Sequence, residues 1–128
     1  MEYIFILGRI LLGGYFIRAG YNHFKYLQNM VGYAQSKGVI MPKLAVSITG
    51  LILFLGGAGI LLGVYVLYSV ILLSIFLLFV TFKMHAFWTV SDSMQKMGEE
   101  VNFYKNIALL GAVLMLLAIP LPWVLSLF

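Results

Sequence analysis

Four apolar stretches fill most of this 128-residue chain, and each is long enough to cross a lipid bilayer. They run from about Tyr3 to Phe24, Leu44 to Val64, Val66 to Phe82 and Phe103 to Val124. The hydrocarbon layer is ~30 Å thick and a helix rises ~1.5 Å per residue, so one crossing takes ~20 mostly apolar residues. Only 9% of residues are charged against 63% hydrophobic. A soluble globular domain carries ~25% charged residues, and that class is excluded. The sequence predicts an all-α integral membrane protein, a four-transmembrane-helix bundle formed by residues 1–128 as a single domain.

The connections constrain the arrangement further. Only Tyr65 separates the second and third stretches, so they form an antiparallel hairpin closed by a tight turn beginning near Gly63. The first long connection, Lys25 to Pro42, places Tyr26, Met30, Tyr33 and Ala34 at helical spacing. That pattern suits a short interfacial helix after helix 1, ended by Gly38, and it competes with an ordinary solvated connector. Pro42 fits the first turn of the next span, where a missing N–H costs nothing. Arg9 and Arg18 interrupt the first stretch, which lacks the basic leader of a signal peptide, so that stretch is read as a retained helix.

All six lysines, Lys25, Lys37, Lys43, Lys83, Lys96 and Lys105, fall in or beside the two long connections, while the terminal side offers Glu2 and the more deeply placed Arg9. Short loops rich in lysine stay in the cytoplasm, so both termini are expected outside, in a prokaryotic plasma membrane. The basic pI of 9.4 then reflects lysines near anionic lipid headgroups, and nucleic acid is not expected as a partner. There is no cysteine, which removes disulfides and any thiol relay carried by this chain. Two histidines and four acids show no metal-ligand spacing, so no metal site is expected.

Small residues mark helix-packing seams, because a missing side chain lets neighbouring backbones approach. Gly50, Gly56, Gly57, Gly59 and Gly63 lie in the second stretch, Gly13, Gly14 and Gly20 in the first, and Ala108, Gly111 and Ala112 in the fourth. Gly59 and Gly63 have GxxxG spacing, and both Gly59 and Gly111 are expected at helix contacts.

Charge inside the membrane is more informative, since it is costly and turns inward or toward water. Arg9 and Arg18 are nine residues apart and point to opposite faces of one helix. Arg18 shares its face with Gly14, Tyr15, Tyr21, Asn22 and Lys25; Arg9 shares its own with Glu2, Gly13, Phe16 and Gly20. Each stands ~9 Å from a helix end, within reach of the headgroups by snorkelling. On the lysine-bearing side, His85, Phe87 and Trp88 follow the third stretch. Glu99, Asn102 and Asn106 share one face if the fourth helix begins before Phe103. The aromatic residues suit interface anchoring. The asparagines and histidine need hydrogen-bond partners at depth.

Several segments together resemble the DoxX family of small four-helix membrane proteins, related to DoxD-type thiosulfate:quinone oxidoreductase subunits. They are Leu7-Gly8-Arg9-Ile10-Leu11-Leu12-Gly13, Ala19-Gly20-Tyr21-Asn22-His23-Phe24, Lys37-Gly38, His85-Ala86-Phe87-Trp88 and Asn102-Phe103-Tyr104-Lys105-Asn106. The resemblance implies a subunit tied to redox or respiratory complexes. The chain departs from the family pattern in having Ile40 where proline is common, and without cysteine the thiol chemistry suggested for distant relatives is outside its means.

Two functional readings follow. In the first, the chain is an accessory subunit of a redox or respiratory membrane complex. Arg18, His85, Trp88, Asn102 and Asn106 contact a quinone headgroup or a small sulfur oxyanion at the cytoplasmic end. Histidine and asparagine donate to quinone oxygens, tryptophan covers a ring and arginine favours an anion. Quinone is then a non-covalent cofactor, and any oxidoreductase activity needs a partner that carries electrons. In the second reading the chain is a structural or assembly subunit, docked on other membrane subunits or on copies of itself. The orientation is testable directly. A cysteine placed at Ser36 is expected to resist an impermeant maleimide added outside intact cells, and prompt labelling there would reverse the topology.

Overall fold

The computed structural model describes residues 1–126 and contains five α-helices. These are α1 (Glu2–Lys25), α2 (Leu27–Ser36), α3 (Pro42–Leu62), α4 (Val66–Met84) and α5 (Ser93–Met115), with 3-10 turns at Phe87–Thr89 and Leu116–Ala118. Four of the helices, α1, α3, α4 and α5, are long and apolar enough to cross a membrane, and there is no strand among the described residues. The protein is an all-α membrane-type bundle. Helix α3 packs on α1 and α4, α5 packs on α4, and the short α2 lies across the ends of α1 and α3.

The closest approach is between α1 and α3. A methyl group on Gly13 would sit 2.8 Å from the Gly57 carbonyl oxygen, and one on Gly57 would sit 2.7 Å from that of Gly13. One turn set further along, a methyl on Gly20 would sit 2.6 Å from the Gly50 oxygen, while one on Gly50 would meet His23 Cβ at 2.7 Å. Both helices therefore repeat glycine every seven residues, two turns apart on one face, in antiparallel register. Backbone meets backbone there, which is how helices gain dispersion contact in lipid. Phe16, Leu53, Ile60, Leu73, Leu77 and Val113 fill the rest of the centre, each no more than 2% exposed.

The α3–α4 hairpin closes as expected through Gly63, Val64 and Tyr65. Gly63 has φ +71° and donates its N–H to the Gly59 carbonyl, an αL cap that glycine adopts without strain. The GxxxG pair is consumed inside this hairpin, since Gly59 abuts Ser69 of α4 and Gly63 is the cap. Helix α2 also forms, with Ala34 buried on the side facing the bundle, and Gly38 follows it at φ +78°. Pro42 opens α3.

Arg9 does not snorkel. It is 4% exposed, with Gly13, Phe16 and Gly20 on the same buried face. Its Nε donates to the Ile60 carbonyl at 3.3 Å and Nη2 to that of Leu61 at 2.9 Å. These carbonyls belong to the last turn of α3, where no intrahelical donor remains. The guanidinium also donates to the Val124 and Leu125 carbonyls, the latter at 3.4 Å, and lies 5.5 Å from the Trp123 ring. Arg9 thus straps the segment after α5 onto the end of α3, with Trp123 buried against Phe5.

Two expectations require correction. The fourth span does not run from Phe103 to Val124. It begins at Ser93, where the Asp92 carboxylate caps the helix by accepting the Gln95 N–H at 2.9 Å. It ends near Ala118 because Pro120 forces Ile119 into an extended conformation. Gly111 is not in a seam either: it is exposed, and a methyl there would meet nothing within 4 Å. In mild detergent, Gly57→Ala is expected to lower stability by ~1–3 kcal/mol through overpacking. Gly111→Ala is expected to leave thermal unfolding unchanged or slightly improved. Equal melting of the two variants would contradict this seam.

Candidate functional site

At the end of the bundle that carries α2 and the α4–α5 connection, side chains from all five helices surround a cavity of about 430 Å³. Its inner wall is apolar, built from Phe16, Leu53, Phe76 and Leu77. Its polar groups come from α1 (Arg18, Asn22, His23), α2 (Tyr33), α3 (Thr49), the end of α4 (His85) and α5 (Asn102, Lys105, Asn106). Among the described residues no aspartate or glutamate lines it, while Arg18 and Lys105 do. No three His, Asp or Glu side chains among the described residues stand close enough together to hold a metal ion.

Helix geometry explains the convergence. Because α5 starts at Ser93, Glu99, Asn102 and Asn106 do fall on one helical face. Arg18 and Asn22 are four residues apart on α1 and project the same way. His85 is the C-cap of α4, with φ −115°, where the chain leaves the helix. Arg18, His85, Asn102 and Asn106 all line the cavity. Trp88 does not. It is 54% exposed and stacks edge-on with Phe87 at 5.3 Å and Phe103 at 5.7 Å, in an aromatic cluster outside the cavity wall.

Five further polar wall residues, Asn22, His23, Tyr33, Thr49 and Lys105, escaped the sequence reading of the site. Asn22 was legible as a neighbour of Arg18 on one face, and Tyr33 as part of the amphipathic spacing of α2. Lys105 was counted among the lysines of the long connections and, at the start of the fourth span, was not assigned to the site. His23 carried no separate signal.

Hydrogen bonding sorts these groups by what they have left to offer. The Thr49 hydroxyl donates within its own helix to the Ala45 carbonyl at 2.8 Å. His23 Nδ1 lies 2.8 Å from the Ala19 carbonyl, an acceptor only, so that nitrogen carries the hydrogen. The Tyr33 hydroxyl donates to Glu99 Oε1 at 2.5 Å, and Glu99 Oε2 pairs with His85 Nδ1 at 2.8 Å. Asn106 is different. Its side chain is buried, at 6% exposure, and its amide has no hydrogen-bond partner among the described residues.

A bundle with four spans and a polar-mouthed cavity at one end defines a helical integral membrane protein. A family model described as DoxX matches residues 4–86, nearly two thirds of the chain, and the protein belongs to the DoxX family. No curated protein and no solved structure matches it. The matched span includes Arg18 and His85 and ends before α5, which supplies Asn102 and Asn106.

Burial, together with the Glu99 hydrogen bond and charge, pushes the Tyr33 phenol well above its ordinary value of 10.0, so Tyr33 is a firm donor at neutral pH. The unfolded chain loses this proton near the ordinary value and the folded chain only later. The stabilisation is therefore present below pH 10 and declines as pH rises from there toward the folded value. Comparing thermal unfolding of the protein and Tyr33→Phe from about pH 8 to about pH 11 should show their difference shrinking at the alkaline end. A constant difference would mean the phenol is not held this way.

Proposed function

We propose that this DoxX protein is an accessory subunit of a membrane redox complex and that its cavity receives the headgroup of a quinone. The carrying observation is the Asn106 amide, on a residue only 6% exposed, which lines the cavity with no hydrogen-bond partner among the described residues. An unpartnered amide on a cavity wall is a ready donor for a ligand carbonyl or hydroxyl oxygen. The volume of about 430 Å³ suits a small-molecule site, and the apolar inner wall suits a ring and the start of an isoprenoid chain. Arg18, His85 and Asn102 add donors around the same space. A bare sulfur oxyanion would leave that apolar wall unused.

With six lysines at this end, the positive-inside rule puts the site on the cytoplasmic side of the plasma membrane, with both termini outside. Partner subunits supply the electron carriers that this chain lacks.

Purified protein in mild detergent, titrated with a short-chain benzoquinone or naphthoquinone, is expected to bind it. Asn106→Leu and Arg18→Leu are expected to weaken binding about tenfold each, the equivalent of ~1.4 kcal/mol, while Gly111→Ala binds as before. Absence of binding in the unaltered protein would favour the alternative, a structural subunit whose polar cluster anchors the bundle at the interface.

A further inference from the structure

We propose that His85 is the proton acceptor for a hydroquinone bound in the cavity, and that Glu99 and Tyr33 are positioning residues that act through it; this rests on the quinone reading above. Three separate elements build the chain of groups: Tyr33 from α2, His85 at the end of α4 and Glu99 from the second turn of α5. Tyr33 Oη donates to Glu99 Oε1 at 2.5 Å, with the Met84 carbonyl 3.3 Å away as a second neighbour. Glu99 Oε2 lies 2.8 Å from His85 Nδ1, and both side chains are 14% exposed.

The carboxylate decides the tautomer. An ionised Glu99 only accepts, so Nδ1 of His85 carries the hydrogen and the neutral ring keeps its lone pair on Nε2. His85 lines the cavity, and Nε2 has no hydrogen-bond partner among the described residues. Such an arrangement, a carboxylate behind and an open nitrogen in front, orients an imidazole and stabilises the cation it becomes on taking a proton.

The second histidine provides the contrast. His23 also lines the cavity and is also fixed at Nδ1, but its partner is the neutral Ala19 carbonyl. A proton on His23 would have no counter-charge bonded to it. The other titratable or charged groups near His85 are Arg18 of α1, Tyr33 of α2 and Lys37 just after it, Lys83 of α4, and Glu99 and Lys105 of α5; α3 supplies none to the wall. Among the described residues, Glu99 is the one carboxylate bonded to either ring.

The step is a proton transfer alone. The ligand O–H bond breaks and the Nε2–H bond forms. The electron pair of the broken bond stays on the ligand oxygen, and the anion so formed is left beside Arg18 and Lys105 while Glu99 balances the imidazolium. No electron leaves the ligand in this step.

Opposed pH responses of the two ligand forms test the assignment. With neutral Nε2 as acceptor, affinity for a short-chain hydroquinone should rise with pH through an inflection. Affinity for the matching quinone, which needs a donor, should fall through the same inflection. His85→Gln should abolish both slopes while the quinone still binds. Glu99→Gln, which removes the counter-charge, should move the inflection down by about one pH unit or more, and Glu99→Asp should restore part of it. Tyr33→Phe, which frees carboxylate charge for the imidazolium, should move it upward, and this variant keeps the test open if Glu99→Gln does not fold. Flat or parallel responses of the two forms, or opposed slopes surviving in His85→Gln, would overturn the assignment and leave the quinone site standing. Failure of the unaltered protein to bind either form at any pH would remove both.

Discussion

The antiparallel glycine contact between α1 and α3 is the constraint on which the other parts of the bundle depend. Because Gly13 faces Gly57 and Gly20 faces Gly50, the two backbones meet without intervening side chains, and their relative height is fixed to within a helical turn. A shift of one turn, four residues, would put Ile17 or Phe54 where only glycine fits. That register brings Arg9 level with the last turn of α3 at one end of the seam. At the other end it brings Arg18, Asn22 and His23 level with Thr49, where the cavity forms. One packing decision thus places both arginines of α1, the buried Arg9 and the exposed Arg18, and the two are handled differently. Arg9 is satisfied entirely by main-chain oxygens; Arg18 has no ion-pair or hydrogen-bond partner among the described residues and borders open volume.

That difference separates scaffold from site without reference to the ligand. Every donor nitrogen of Arg9 is committed, so the residue belongs to the architecture. Among the described residues the cavity groups are only partly committed: His85 and His23 each use one nitrogen, and Asn106 uses neither amide atom. Uncommitted polar atoms around an apolar floor are the chemical basis for reading the space as a receptor for a ring bearing oxygen atoms.

Much of this was legible in the sequence, and the limits have physical causes. The spans declare themselves through hydropathy, and the α3–α4 turn through Gly63. The opposed faces of Arg9 and Arg18 follow from a 100° step per residue. The start of α5 was hidden because Ser93–Asn102 is polar, and its helix is announced by the Asp92 cap rather than by apolar periodicity. Composition also failed to distinguish Gly57 from Gly111; the seven-residue repeat shared by Gly13/Gly20 and Gly50/Gly57 does distinguish them, because only a repeated pair can define a seam. Contacts between residues far apart in the chain, such as Tyr33 with Glu99 or Arg9 with Val124, carry no local signature.

The Arg9 strap also bears on how the protein is made. Its acceptors come from residues 60, 61, 124 and 125, so half of them are synthesised only after all four spans have emerged. A charge near the middle of a lone helix costs ~2.5–3.5 kcal/mol at insertion, less toward its end. During synthesis α1 therefore sits in the membrane as an incompletely solvated intermediate, held there by α3 once the glycine faces meet. The segment bearing Val124 and Leu125 then acts as a clasp that closes over Arg9 and the end of α3.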